Sequence, residues 1–231
     1  MHTFSPDFAA ELLDAPLPAG RGAHIAFTGI DGSGKSTQAG LLRRSLEDQG
    51  YCTYLMESKE DFVGNTMRVL AARRGLVLRD YYSNEQTDLA RAFDTLRHHT
   101  QMIVPLTESG AVVVQPRSGY CRVAAAAAFG SRNVEQVQEV ILFAGEPHLT
   151  VWLDVPTGYA LERIERRGID TEPPELLNRY RECLTALSRR HSWVRVDGTG
   201  PVEEVRARVW EAAQEWLAAC GRELLRRPDA A

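Results

Sequence analysis

The sequence predicts an α/β protein: a five-stranded parallel sheet with helices on both faces. Three observations carry this expectation. Short apolar runs alternate with helical patterns from residue 23 onward. The run AVVVQ at 111–115 has consecutive valines, as a strand buried on both faces requires. No internal repeat or long linker divides the core, and 231 residues suit one domain with a small lid.

Residues 1–22 read as an N-terminal extension, because Pro16, Pro18, Gly20 and Gly22 break the short amphipathic piece around Phe8, Leu12 and Leu13. The domain proper is expected over 23–227. AHIAFTG (23–29) is the first strand, followed by a helix from Lys35 to about Gln49 with Leu41, Leu42, Ser45 and Leu46 on one face. YCTYLME (51–57) is the second strand. A helical pattern then runs over 84–106, with Leu89, Phe93, Leu96, Thr100 and Ile103 at spacings of three and four. After the valine strand, 121–129 and 134–144 read as helices, the alanine run of the first suiting a close-packed face. LTVWLDV (149–155) and SWVRVD (192–197) are the fourth and fifth strands, separated by a helix carrying Leu176, Leu177, Tyr180, Leu184 and Leu187. The last helix runs from Val202 to about Leu225, with Val205, Val209, Ala213, Trp216, Cys220 and Leu224 on one stripe; Trp210 and Trp216 read as packing residues.

The composition is that of a soluble globular chain, 44% hydrophobic and 25% charged. A net charge of −4 offers no global attraction for nucleic acid, so anion binding must come from local groups. Cys52, Cys121, Cys183 and Cys220 show no metal-ligand spacing and read as free thiols. No apolar stretch approaches the ~18 residues of a membrane span, and the start is acidic and proline-containing rather than basic and apolar. A cytoplasmic protein is expected.

The chemistry is concentrated in GIDGSGKS, residues 29–36, which fits G-x-x-x-x-G-K-[ST] between an expected strand and an expected helix. Gly29, Gly32 and Gly34 permit positive φ and close approach of backbone N–H groups to an anion. The helix that follows directs its unpaired N–H groups and positive dipole end at the same point. Lys35 can reach β- and γ-phosphates, and the Ser36 hydroxyl can ligate Mg²⁺. Asp31, Ser33 and Thr37 complete the loop. The expected ligand is a nucleoside triphosphate with Mg²⁺.

The pattern GIDGSGKST, with Asp31 inside the loop, resembles the thymidylate kinase family of nucleoside monophosphate kinases. The resemblance continues to about Leu217 through IVPL with a valine strand, PHLTVWLDVPTGYALERIERRG (147–168) and VDGTGPVEEV (196–205). It implies a P-loop fold whose lid spans about 163–174, and transfer of the ATP γ-phosphoryl to dTMP or a related nucleotide. It also implies roles. Asp31 would lie near the acceptor's sugar 3′-hydroxyl, Arg117 would hold the acceptor's phosphate, and Arg163, Arg166 and Arg167 would neutralise the transferring group. Lys59, Arg68 and Phe93 would join Asp31 and Arg117 on the acceptor side. Members of the family commonly form homodimers through helices, and the alanine-rich segment offers one such surface.

The departures lie on the acceptor side. The family's Asp-Arg pair at the end of strand three reads Pro116-Arg117 here, preceded by Gln115, so a carboxylate would have to come from Glu57, Glu60 or Asp154. The family's Arg-Glu-Pro-Gly-Gly turn is represented by Lys59-Glu60 and then Asp61-Phe62-Val63-Gly64. Where the family carries its base-stacking aromatic and base-reading arginine, Arg91 and Thr95 stand, with Phe93 close by. Two other readings remain open at this point: the same chemistry on another small acceptor, and a nucleotide-binding relative with little transfer.

Overall fold

In the computed structural model, residues 22–57, 62–168 and 173–220 are described. The expected extension up to residue 21, Lys59, Glu60 and the chain past 220 lie outside them. Five parallel strands, β1 (Ala23–Thr28), β2 (Thr53–Leu55), β3 (Val112–Gln115), β4 (Leu149–Asp154) and β5 (Val194–Asp197), form one sheet in the order β2-β3-β1-β4-β5. The outer strands β2 and β5 are shorter than the sequence pattern suggests. Each pairs on one side only, so fewer backbone groups are held in the ladder.

Alternation along the strands divides the core in two. Ile25, Phe27, Val112, Val114, Val151 and Leu153 pack against helix α1 (Lys35–Asp48), represented by Leu42 and Leu46, and the last helix, represented by Val205 and Val209. Each such buried branched side chain contributes roughly 1.5–3 kcal/mol of transfer free energy. The opposite face is more polar: His24, Thr28, Gln115, Thr150 and Asp154 are all buried there or at its edge. His24 Nε2 and Gln115 Oε1 are 3.0 Å apart, the backbone N–H of His24 donates to His148 Nδ1 at 3.0 Å, and the His99 ring lies 5.7 Å away.

Between β2 and β3 lie α2 (Phe62–Ala72), α3 (Leu78–Tyr81), α4 (Asn84–His98) and α5 (Val104–Glu108). The sequence pattern gave no helix at α2, whose apolar positions are largely exposed. Ser83 begins α4 with a capping box to Gln86. The single helix expected over 84–106 is instead interrupted by a π-turn at His99–Ile103, where the Val104 N–H reaches back to His99 O. Pro105 lacks the N–H that would continue the α register, which accounts for the interruption just upstream.

The apolar stripe expected on this helix is not its buried face. Thr87, Asp88, Ala92 and Asp94 point inward, whereas Phe93 is 51% exposed. Asp94 explains part of the inversion, since its two oxygens accept from the N–H groups of Val63 and Gly64 at 3.0 and 2.9 Å.

Helices α6 (Tyr120–Ala128) and α7 (Val134–Ala144) connect β3 to β4. The alanine run is buried against α7 and the next helix pair, so it is core rather than an outer surface. Between β4 and β5 the chain forms two helices, α8 (Thr157–Arg167) and α9 (Pro174–Ser188), where the sequence pattern gave one. Gly168, at φ 65°, ends α8. Helix α10 (Val202–Cys220) closes the described chain, with Trp210 and Trp216 packed on the core as expected.

Candidate active site

The loop between β1 and α1 has the backbone that its glycines allow. Gly32 and Gly34 adopt φ of 78° and 95°. A Cβ at Gly32 would stand 2.4 Å from the carbonyl oxygen of Ala160. Gly34 starts α1 with no side-chain cap and no acidic residue in the first turn, leaving the first N–H groups open to an anion.

Lys35 is 5% exposed, and its ammonium donates to Ile30 O at 2.7 Å and to Ser33 Oγ at 3.4 Å. Asp31 Oδ1 lies 3.7 Å from that ammonium and 2.5 Å from the Arg117 guanidinium. Burial pushes the Lys35 pKa down to about 8, Arg117 adds to the depression, and Asp31 opposes it. Burial would raise Asp31, but Lys35 and then Arg117 hold it below the ordinary carboxylate range.

Around the loop is a cavity of about 240 Å³ bounded by residues 31–38, Arg117, Arg163, Arg167, Gly198, Val202 and Val205. The three arginines expected in a lid have different positions. Arg163 stacks on Tyr159 and donates to carbonyls on both sides, Gly198 O at 3.1 Å and those of Gly32, Ser33 and Gly200 at 3.4 Å. It therefore ties the phosphate loop to the β5–α10 turn. Arg167 borders the cavity and is close enough to act on the charges of Asp31 and Lys35. Arg166 is exposed, donates to Glu162 O at 3.4 Å, and does not border this cavity.

A second cavity of about 360 Å³ shares only Asp31 and Arg117 with the first. Its walls come from α3 (Arg79), α4 (Arg91, Asp94, Thr95, His98), the end of β3 (Gln115, Ser118), α6 (Cys121, Arg122, Ala125, Ala128, then Phe129) and α9 (Leu176, Leu177, Tyr180). Arg79 is held by Asp88 at 2.6 Å and covers the Phe129 ring at 3.8 Å. Burial would raise the Cys121 thiol, but Lys35 and Arg117 pull it below the usual thiol range.

Two residues expected on the acceptor side are elsewhere. Phe93 faces away from the cavity, for the reason given by the inverted face of α4, and Arg68 is exposed on α2, bonded to Asn65 at 2.9 Å. Lys59 lies outside the described residues. No site role was expected for Ser118, Cys121 or Tyr180. Ser118 and Cys121 follow Arg117 closely in the chain, whereas Tyr180 reaches the cavity from α9 and carried no such signal.

The model of the thymidylate kinase family matches residues 27–209. The chain belongs to the thymidylate kinase family. It is 33% identical over 192 residues to a probable thymidylate kinase of Thermococcus gammatolerans, covering 80% of this chain and 92% of that protein. It is 31% identical to a thymidylate kinase of a Synechococcus species, covering 86% and 98%, and 33% identical to one of Akkermansia muciniphila, covering 83% and 91%.

In this member of the thymidylate kinase family, Pro116, which stands in place of the Asp of the family's Asp-Arg pair, is buried at the end of β3. Asp154 does not replace it. Its oxygens accept from Arg181 at 2.8 Å and from Arg195 at 2.6 Å, which pins α9 and β5 to the sheet. Glu57 is exposed and borders neither cavity, and Glu60 lies outside the described residues. Among the described residues, no group of three or more His, Cys, Asp or Glu side chains could hold a metal ion. The donor set nevertheless fits Mg²⁺ with a nucleotide. Ser36 is exposed at the cavity, and this metal ordinarily takes few protein ligands together with phosphate oxygens and water.

Proposed function

We propose that the chain is a thymidylate kinase that transfers the γ-phosphoryl of ATP to dTMP, giving ADP and dTDP. The observation that carries this reading is the junction of the two cavities at Asp31 and Arg117, with the phosphate loop on one side only. ATP occupies the loop cavity and the acceptor the other, so that both phosphate ends meet at Arg117.

In the transfer, a phosphate oxygen of the acceptor attacks the γ-phosphorus and the bond to the β-bridging oxygen breaks, its electrons going to ADP. Little covalent chemistry is asked of the protein; positioning and charge neutralisation are the main contributions. Lys35 exchanges its bonds to Ile30 O and Ser33 Oγ for the β- and γ-phosphates. The first-turn N–H groups of α1 and Arg167 face the same charge. Arg117 orients the acceptor's phosphate while Asp31 holds its guanidinium. Ser36 would hold Mg²⁺, which supplies further neutralisation of the phosphates when bound. The lid expected over about 163–174 lies partly outside the described residues, at 169–172; of its arginines, Arg163 secures the loop and Arg167 meets the phosphates.

The test is ADP release with Mg²⁺-ATP against dTMP, dUMP, UMP, CMP, dCMP, AMP and GMP. Fast turnover that depends on dTMP is expected; ATP binding with silence on every nucleotide would overturn the reading.

Phe62, Val69, Leu70 and Phe93 leave an exposed apolar surface on α2 and α4, with Arg97 over the Phe62 ring at 5.8 Å. We assign this surface to a homodimer in place of the alanine-rich helix. Sedimentation should give the mass of two chains, and the mass of one chain would remove the assignment. No helix among the described residues is long and apolar enough to cross a membrane. Free Cys52, Cys121 and Cys183, together with the need for ATP, support a cytoplasmic location.

A further inference from the structure

Ser118 is 2% exposed, and among the described residues its Oγ has no hydrogen-bond partner. Its backbone is fully committed: the N–H donates to Phe27 O at 2.8 Å, and the carbonyl accepts from the Cys121 N–H at 3.1 Å. The backbone is therefore fixed in the turn that follows β3, while rotation about χ1 can still turn the hydroxyl toward the cavity. Among the described residues the buried hydroxyls of Thr53 and Thr87 are also unpartnered, but neither borders the acceptor cavity. Ser118 does, immediately beside Arg117 in the chain.

A buried polar group without a partner is destabilising, and such groups in folded proteins call for an explanation. Burial alone would be served as well by alanine. A hydroxyl on a residue that borders the same cavity as Arg117 has the donor and acceptor capacity that a phosphate or sugar oxygen takes up.

We propose that Ser118 is an acceptor-binding residue, its hydroxyl donating a hydrogen bond to an oxygen of the bound nucleoside monophosphate. This rests on the thymidylate kinase reading above. The bond is made in the ground state and kept in the transition state, so its loss raises KM and leaves kcat nearly unchanged. Removing the hydroxyl also removes the unpaired polar group from the ligand-free protein. Ser118→Ala thus has two opposite effects: the free protein becomes more stable and acceptor binding becomes weaker. A hydroxyl with only a structural role would not give that combination.

The experiment compares the parent protein with Ser118→Ala. Melting is followed alone, with ATP, with dTMP and with thymidine, and steady-state rates are measured with dTMP varied. For Ser118→Ala the ligand-free Tm should rise by about 2–4 °C, KM for dTMP should rise about tenfold, and the ATP-induced shift should be unchanged. Weakened binding of dTMP but not of thymidine would support the proposal and place the bond on the phosphate. Equal weakening of both would support it and place the bond on the nucleoside. A lower ligand-free Tm with unaltered KM would overturn it, because the hydroxyl would then have an internal partner. A parent protein that answers ATP but neither turns over nor binds dTMP would overturn both the function and the inference, and it would show this before any variant is compared.

Discussion

Lys35→Ala should lower kcat by on the order of 10³ while leaving the fold intact. The expected loss is what removal of one preorganised charge or donor from a transition state costs elsewhere, about 3–4 kcal/mol. The lysine is placed for this effect: it is 5% exposed, and its two hydrogen bonds are to the loop itself rather than to a carboxylate alone. The fold should tolerate the change for a separate reason. The folded-state pKa of Lys35 lies near 8, below the ordinary value of 10.5, so folding disfavours its charged form. That cost disappears in the variant, and the Tm should stay level or rise slightly. Coupled ADP release and a thermal melt measure the two effects. A kcat within tenfold of the parent would mean that Lys35 is not the group that neutralises the transferring phosphoryl.

Mild acid should destabilise the fold well before the carboxylates titrate. His24 and His99 are 3% and 8% exposed, and burial holds their pKa values near 3 and 4, against an ordinary 6.5. For both, neighbouring histidines deepen the depression, while the Gln115 hydrogen bond opposes it at His24. Each is neutral in the folded protein, and each gains a proton on unfolding below pH 6.5. Their contribution is therefore fully present above about 6.5 and is lost as the pH falls toward 4 and 3. At pH 5 each histidine should cost roughly 2 kcal/mol relative to neutral pH, a large share of a typical 5–15 kcal/mol stability.

The carboxylates belong to a different window. Burial raises Asp154, but Arg181 and Arg195 bring it below its ordinary 3.8, so its contribution is lost only in stronger acid. Urea midpoints at pH 7.5 and pH 5 test the histidine effect. His99→Leu should remove about half of the difference, whereas equal midpoints in the parent protein would refute the argument.

The phosphate loop was legible in the sequence because its geometry is local. Glycines that permit φ of 78° and 95°, a lysine and the start of a helix are contiguous, and no distant residue is needed to set them. Strand β3 was legible for a similar reason, since burial on both faces leaves a run of consecutive valines. The acceptor cavity was not. Its walls are drawn from residues between 31 and 180, and α4 turns a polar face inward because Asp94 caps α2 and Asp88 holds Arg79. Those pairings put Phe93 outside, although its spacing alone suggested the core. Asp154 likewise appeared available in the sequence until Arg181 and Arg195, 27 and 41 residues away, were found to occupy it. The sequence by itself determined the fold class and the backbone of the loop proposed to hold phosphate, both products of short-range backbone chemistry. Only the tertiary structure decided which side chains face the acceptor, because long-range ion pairs and caps choose which side of a helix is buried.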